Sequence, residues 1–433
     1  MRKFILLILI SGFGHTHAQS LESFIQESLE NNYDIRITRT EADIARNNNT
    51  AGNAGFLPVI DAGGQYSISE SNTEQNFFNG EQRQGTGARN TGLNGDVSFN
   101  WRVFDGLRMF ANRDRLSYLE SIGDANVRFF IDQTVSDIAS IYYEIIKEYR
   151  VLEILRSSLE VSRYRFNLEN ARKKVGAGTA LDYNQALVDY RSDSSLIINQ
   201  KAIIRQLEIE LNRIANHNLS DSLTHDNQIP LVRDLPSEDE LTQIAIENNQ
   251  NLEIARLNEL VAESDIRFAR ADHYPMVDIF SNYTYNRSTS EIGFVESNRS
   301  YGPQLGVRVR MNLYNGGNVN RQVRNAEMQR DIALMSRESV ELNVQAEILQ
   351  QITLYKALIQ RLAVAESNVV AAGKALDVAR AQLNEGEING IDFRVAQVTL
   401  ISVQNNREQI LYSLKAVEIT LLRLMGRITN YFI

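Results

Sequence analysis

The chain has 433 residues, 43% of them hydrophobic and 23% charged, which excludes general disorder and leaves room for two to three ordinary domains. Its net charge of −9 argues against a nucleic-acid partner, whose binders usually carry a basic face. The absence of cysteine excludes disulfides, zinc–thiolate sites, thiol catalysis and an N-terminal lipidated cysteine.

Residues 1–18 have the parts of a secretory signal. Arg2 and Lys3 are basic, Phe4 to Ile10 are apolar, and Thr16-His-Ala18 offers small residues before Gln19. The apolar run is far shorter than the roughly 20 residues a helical span needs. No later segment is apolar enough to cross a membrane as a helix, so the mature chain is expected to be exported and to enter a membrane only through strands.

A first repeat occupies 19–215. A helix over 20–54 stops before Pro58, and a strand pair follows over 59–104. Ile60, Ala62, Gly64, Tyr66 and Ile68 alternate with Asp61, Gln65, Ser67 and Ser69; Leu93 to Val103 alternate with Asn94, Asp96, Ser98, Asn100 and Arg102. Strands of about 10 to 12 residues suit a tilted bilayer crossing. The charged opposite face suits a watery lumen better than a soluble core, and Phe56, Phe104, Tyr274 and Tyr314 stand where an interface girdle would. Residues 71–92 read as an exposed loop.

A proline-free run from Gly106 to Lys174 carries a heptad stripe of Ile131, Val135, Ile138, Tyr142, Ile145, Tyr149 and Leu152. That is the coiled-coil signal, and a helix of this length reaches roughly 100 Å. A tip turn at 175–181 (KVGAGTALD from Lys174) leads into a return helix from Leu181, with a stripe of Leu196, Ile203, Leu207, Leu211 and Ile214. Residues 216–236 read as a linker.

The second repeat, 237–433, restates the first. Ser237 and Glu240 form a capping box for a helix over 237–272. A strand pair over 276–314, with a loop at 287–300, presents Asp278, Asn282, Arg308 and Arg310 on its polar face. A long helix carries Ile348, Ile352, Tyr355, Ile359 and Leu362. A tip turn at 385–391 precedes a return helix from Ile391. LENNYDIRITR at 29–39 aligns with IENNQNLEIAR at 246–256, and Phe104-Asp-Gly106 with Tyr314-Asn-Gly316. Gly176 aligns with Gly386, and Leu181-Asp-Tyr183 with Ile391-Asp-Phe393. Register held this far marks an internal duplication. Four strands cannot close a membrane barrel alone, so several chains share one; periodicity leaves two, three or four open.

The duplicated plan and the paired tip motifs resemble the TolC-like outer-membrane efflux protein family over essentially the whole mature chain. The resemblance implies a mixed α/β membrane protein. A homotrimer would form a 12-stranded β-barrel in the outer-membrane lipid of a Gram-negative bacterium, continued by an α-helical coiled-coil barrel through the periplasm. It implies a passive duct served by an inner-membrane pump and a periplasmic adaptor, with type I protein secretion as the alternative system. A trimeric adhesive stalk is the competing class.

No catalytic constellation, phosphate loop, metal set or cofactor site stands out, and His217, His225 and His273 read as surface positions. Asp182 and Asp392 have two readings. Thr179-Ala-Leu-Asp182 and Asn389-Gly-Ile-Asp392 have the shape of capping boxes, in which each carboxylate caps a return helix. The resemblance implies that Asp392 lines the entrance constriction and that Asp182 helps hold it closed. Leu383, Ile388 and Val395 stand where the family's pattern has a tyrosine, a basic residue and a second aspartate. Clustered acids near one axis favour cations, so a mildly cation-preferring entrance is expected. Val175, Ala177, Ala180, Ile388 and Ile391 are candidates for the adaptor contact, and Arg102, Arg308 and Arg310 for the barrel lumen.

Overall fold

The computed structural model describes residues 21–223, 228–231, 235–292 and 295–433. The expected signal at 1–18, His225 and parts of the expected linker lie outside the described residues. The chain divides into two compact units: one of Met1–Thr38, Val127–Leu252 and Val340–Ile433, the other of Arg39–Asn126 and Glu253–Ser339. No described helix is long and apolar enough to cross a membrane.

The first copy runs α1 (Leu21–Asn31), α2 (Tyr33–Asn48), α3 (Ala51–Ala54), β1 (Val59–Asn76), β2 (Gln82–Phe104), α4 (Arg108–Lys174) and α5 (Ala180–Ala215). The second runs α6 (Glu238–Asn248), α7 (Gln250–Arg270), a 3-10 turn at Ala271–His273, β3 (Met276–Ser290), β4 (Ser297–Arg310), α8 (Asn318–Glu385) and α9 (Gly390–Leu424); α10 (Ile428–Phe432) closes the chain. The 67 and 68 residues of α4 and α8 are about twice the 36 and 35 of α5 and α9.

The opening helices, read from the sequence as continuous, are interrupted: the first at Asn32 and again at residues 49–50 before α3, the second at Asn249. Asn32 ends α1: its side-chain Nδ2 donates to the Ile214 carbonyl at 2.7 Å, and its side-chain Oδ1 accepts the Ile35 N–H at 3.0 Å. Asn249 is its counterpart, donating to the Leu424 carbonyl at 3.0 Å and accepting from Asn251 and Leu252. One side chain thus caps the next helix and satisfies an orphan carbonyl at the end of the return helix.

The sheet lies wholly in the second unit. It is antiparallel, in the order β1-β2-β3-β4, so the copies meet where β2 pairs with β3. The expected loop at 71–92 is mostly strand: β1 and β2 pair from Val59↔Asn100 out to Asn76↔Gln82, with one register shift. Its Ser, Asn and Gly residues looked like turn formers, yet edge-to-edge pairing satisfies their backbone groups. At the other end, β4 stops at Arg310 rather than 314.

In the first unit two cores form, one centred on each copy, and the first also takes in Ile419 and Ile428 from the second copy. Phe24 and Ile25 of α1 pack with Val135, Ile138, Ile145 and Ile146 of α4 and Leu211 of α5. Leu241 and Ala245 of α6 pack with Ile348, Ile352, Tyr355 and Leu358 of α8 and Leu414 and Leu421 of α9. Each fully buried aliphatic or aromatic side chain here contributes about 1.5–3 kcal/mol. The expected stripes hold at Ile348, Ile352, Tyr355 and Leu211 and move by one residue at three positions. Leu358 is buried and Ile359 exposed; Ile197 and Ile204 are buried while Leu196 is exposed and Ile203 half-buried. On α5 the inward positions include Asp193, Gln200 and Glu208, which an apolar count passes over. His217, expected at the surface, is half-buried against Phe24, with its Nε2 2.8 Å from the Glu27 carboxylate.

Candidate channel gate at the hairpin tips

Both long helices end in the same way. The N–H of Gly176 bonds the Lys173 carbonyl at 3.2 Å, and the N–H of Ala177 bonds the Arg172 carbonyl at 2.9 Å. Gly386 and Glu387 bond Leu383 and Gln382 at 3.2 and 2.9 Å. These are Schellman closures, whose pivotal residue takes a left-handed backbone. Gly176 and Gly386 have φ of +77° and +78°, which a β-carbon would oppose. The turn then feeds an extended cap residue, Thr179 or Asn389, that opens the return helix.

The caps differ from the sequence expectation. The Thr179 hydroxyl accepts the Asp182 N–H at 3.1 Å, and Asn389 Oδ1 accepts the N–H groups of Ile391 and Asp392, each at 2.9 Å. Thr179 and Asn389 are therefore the caps, because only the extended residue before the helix can turn its side chain back over the free N–H groups. The two acids are not equivalent. The Asp182 carboxylate accepts the Thr179 hydroxyl at 2.6 Å. The Asp392 carboxylate is exposed and, among the described residues, has no hydrogen bond or ion pair. It is an uncompensated negative charge at the N-terminal end of α9.

The apolar tip residues also separate. Val175 and Ile391 are 79% and 65% exposed, and Ala177 and Ala180 are exposed. Ile388 differs from these four: it is half-buried, packed against Leu383, Phe393 and Ala379, with Val161 and Leu168 of α4 beside them. Its counterpart Gly178 lies so close to its own helix that a β-carbon would stand 2.9 Å from that of Arg172. The second tip thus carries a hydrophobic plug where the first has only backbone.

The sequence reading missed the polar clasp behind the tips. Arg394 of α9 forms a fork with Asp193 of α5, both N···O distances being 2.7 Å. Arg165 of α4 reaches Asp189 of α5 at 2.6 Å. Ser162 donates to Asp193, and Gln397 donates to the Ser158 carbonyl at 2.9 Å and to the Ser162 hydroxyl at 2.8 Å. The Arg165 and Asp193 side chains are each 3% exposed. The Asp193 carboxylate raises the affinity of Arg394 for its proton, against the opposing effect of burial. Gly390 leaves the guanidinium of Arg165 its room: a β-carbon there would lie 2.8 Å from it. A second tie runs from Arg172 to the Leu383 carbonyl at 2.7 Å. Three helices from both copies are therefore held by charge-assisted bonds. The counterparts of Arg165, Asp189, Asp193 and Arg394 are Ala375, Thr399, Val403 and Asn184; ionic residues at inward positions of one copy only were the readable signal.

Arg102, Arg308 and Arg310 lie in the other unit, on one face of the sheet. Arg102 Nε is 2.9 Å from the Asp278 carboxylate, and Arg308 lies over the Phe280 ring, 4.8 Å from its centroid. Arg310 stands opposite Met276. Among the described residues no group of three or more His, Cys, Asp or Glu could hold a metal ion.

Comparison with known proteins gives a consistent result. The family of outer membrane efflux proteins matches residues 24–217 and 241–427, one stretch on each copy. Outer membrane protein TolC of Salmonella enteritidis is 22% identical over 402 residues, covering 90% of this chain and 79% of that protein. The proteases secretion protein PrtF of Dickeya chrysanthemi is 23% identical over 204 residues, 47% of this chain and 42% of that one. Among solved structures, the Campylobacter jejuni CmeC outer membrane channel superposes with a TM-score of 0.79 at 14% identity, covering 94% of this chain and 85% of that one.

Proposed function

We propose a function from the premise that this chain belongs to the outer membrane efflux protein family. It is an efflux channel of the outer membrane, extending into the periplasm. In our reading three copies close one barrel and continue it as a helical tunnel. The tunnel passively conducts substrates that an inner-membrane pump expels through a periplasmic adaptor docked at the tips. Asp392, the partnerless acid, faces the entrance; Asp182 steadies the turn beside it; Val175, Ala177, Ala180 and Ile391 meet the adaptor.

The observation that supports this most is the four-stranded sheet with β1 and β4 at its edges. In lipid an open edge leaves N–H and C=O groups without partners, and closed membrane barrels begin at about eight strands. One chain completes its wall only with copies of itself, and three give a barrel of about twelve.

The test is the mass of the detergent-solubilised protein together with its conductance in a planar bilayer. A mass of three chains and a stable conductance are expected. A monomer or dimer overturns the trimer, and a trimer without conductance turns the reading to a stalk. The partial match to a protease secretion protein supports a second reading, the outer-membrane part of a type I secretion system. Loss of a secreted protein, with drug and metal tolerance unchanged in a deletion strain, would decide for it.

A further inference from the structure

Strand register sorts the sheet into two faces. One carries Asp61, Asp96, Arg102, Asp278 and Arg308. The other is apolar but for Ser281 from the row Phe104–Val277–Val309 to the row Ala62–Val97–Tyr283–Pro303. Tyr285 and Tyr301 follow, opposite each other and stacked with ring centroids 6.5 Å apart. From Val277 to Tyr285 is eight residues, about 27 Å along a strand and about 20 Å of depth at the usual barrel tilt of ~40°. That is close to the ~25 Å apolar band of membrane barrels, which ends in aromatic rings.

The next row on this apolar face is Arg287 directly opposite Arg299. Both are exposed. Arg299 lies over the Tyr301 ring, 5.8 Å from its centroid. Among the described residues neither has a carboxylate partner. Like charges directly opposite each other repel, and the paired rows beneath them on this face carry no acidic side chain. Elsewhere the sheet sets opposite charges across from each other, as Asp278 opposite Arg308 and Glu70 opposite Arg89. Two guanidinium forks about 5 Å apart at their β-carbons match the oxygens of one phosphate. They stand just beyond the aromatic row, at the strand ends away from the long helices, where the outer leaflet's headgroups would lie.

We propose that Arg287 and Arg299 form a docking site on the barrel's outer wall for a phosphomonoester on the headgroup of an outer-leaflet lipid, a group whose negative charge no attached cation balances. The proposal rests on the outer-membrane barrel reading and adds to it a fixed lipid contact. The bound phosphate offsets the repulsion of the pair and fixes the depth of β3 and β4 in the bilayer.

The full-length protein and the double variant Arg287→Gln/Arg299→Gln are purified in non-ionic detergent. Each is titrated with a bis-phosphorylated glycolipid or with phosphatidylcholine, and lipid retention is read by native mass spectrometry. The wild type is expected to hold the phosphorylated lipid at least tenfold more strongly than the double variant. High salt should weaken binding, and phosphatidylcholine should not discriminate the two proteins. Equal retention by both overturns the proposal. So does complete displacement from the wild type by millimolar inorganic phosphate, which would make the pair a free-anion site. Insertion of both proteins into glycolipid vesicles is measured alongside; failure of the wild type to insert would instead overturn the barrel reading itself.

Discussion

At the scale of single residues, the tip acids and a buried acid behave differently because their surroundings differ. Among the described residues Asp392 has no partner, whereas the Asp182 carboxylate is engaged by Thr179 at 2.6 Å; in the proposed channel the Asp392 charge is left to passing ions. Asp392→Asn is therefore expected to reduce the cation preference of the closed channel more than Asp182→Asn does. The Asp182 change should leave the turn in place, because Thr179 still caps the backbone N–H of residue 182 and Asn keeps an acceptor for its hydroxyl. Reversal potentials under a salt gradient check the first, and unchanged selectivity in Asp392→Asn would contradict an entrance lined by this acid. Asp132 of α4 answers to pH. Burial raises its pKa above the ordinary 3.8, only partly opposed by the Thr429 hydroxyl and by Arg423 and Arg128. Between 3.8 and the raised value the folded chain holds more protons than the unfolded one, so stability falls as pH rises through that window. Asp132→Asn keeps an acceptor for Thr429 and removes the ionisation. Melting curves across the acid range should show a shallower pH slope for the variant and no loss at neutral pH; an unchanged slope would assign the effect elsewhere.

At the scale of elements, the two hairpins are alike in outline and unlike inside. The lower part of α8 buries Ala365, Ala372 and Ala379 at heptad spacing, a close apolar seam. The corresponding stretch of α4 buries Ser158, Ser162, Arg165 and Glu169, and Arg394 of α9 ties into it. Removing one member of such a buried pair leaves the other uncompensated and costs about 3–5 kcal/mol. Arg394→Gln, which strands Asp193 at 3% exposure, should destabilise the tip region by that order. Arg394→Met with Asp193→Leu should recover most of it. Thermal melts resolve this, and single-channel recordings of Arg394→Gln should show a larger mean conductance if the clasp holds the tips together. Equal melting of both variants would show that the pair carries no specific coupling. This asymmetry also explains what the sequence revealed. Element types, the duplication and the two turns were legible because glycine spacing, heptad period and strand alternation are local signals. The breaks at Asn32 and Asn249 were not, since an asparagine inside a helical pattern declares nothing until the return helix offers it a carbonyl. On α5 the stripe held at Leu211 but passed over Ile197 and Ile204, because Asp193, Gln200 and Glu208 face inward with them, and polar residues face inward only where another helix supplies their partners. The site was legible in the same measure: both aspartates and glycines could be named, but the clasp residues lie on three helices that sequence distance keeps apart.

At the scale of the whole molecule, a duplicated chain must join its copies as well as build each of them. In the sheet the join is the β2–β3 pairing, which is ordinary backbone hydrogen bonding. In the helical unit the end of the chain supplies another. Thr429 of α10 donates to Asp132 of α4 at 2.8 Å, and Ile428 enters the first copy's core. Beneath α10 lies Lys415 of α9, fully buried. Its ammonium is 3.2 Å from Glu418 and faces the rings of Tyr143, Tyr431 and Phe432 at 5.0, 5.4 and 6.0 Å. Burial lowers the pKa of Lys415 despite the opposing Glu418 carboxylate, and Tyr431 completes the set by donating to Glu418 at 3.2 Å. Among the described residues these three rings and one carboxylate compensate the ammonium, and two of the four, Tyr431 and Phe432, lie in the last few residues of the chain. Truncation after Arg427 should therefore destabilise the helical unit by several kcal/mol, because it opens the cage and exposes a core edge together. Glu418→Gln alone should cost about 3 kcal/mol, since it leaves Lys415 charged and unpaired. Lys415→Met with Glu418→Leu should lie near the wild type, because an apolar pair of similar volume removes both desolvation penalties. Melting followed by the helical circular-dichroism signal separates the three. If the truncation melts like the double variant, the C-terminal segment is merely attached to the surface; if it melts well below, the two copies depend on the chain end to stay joined.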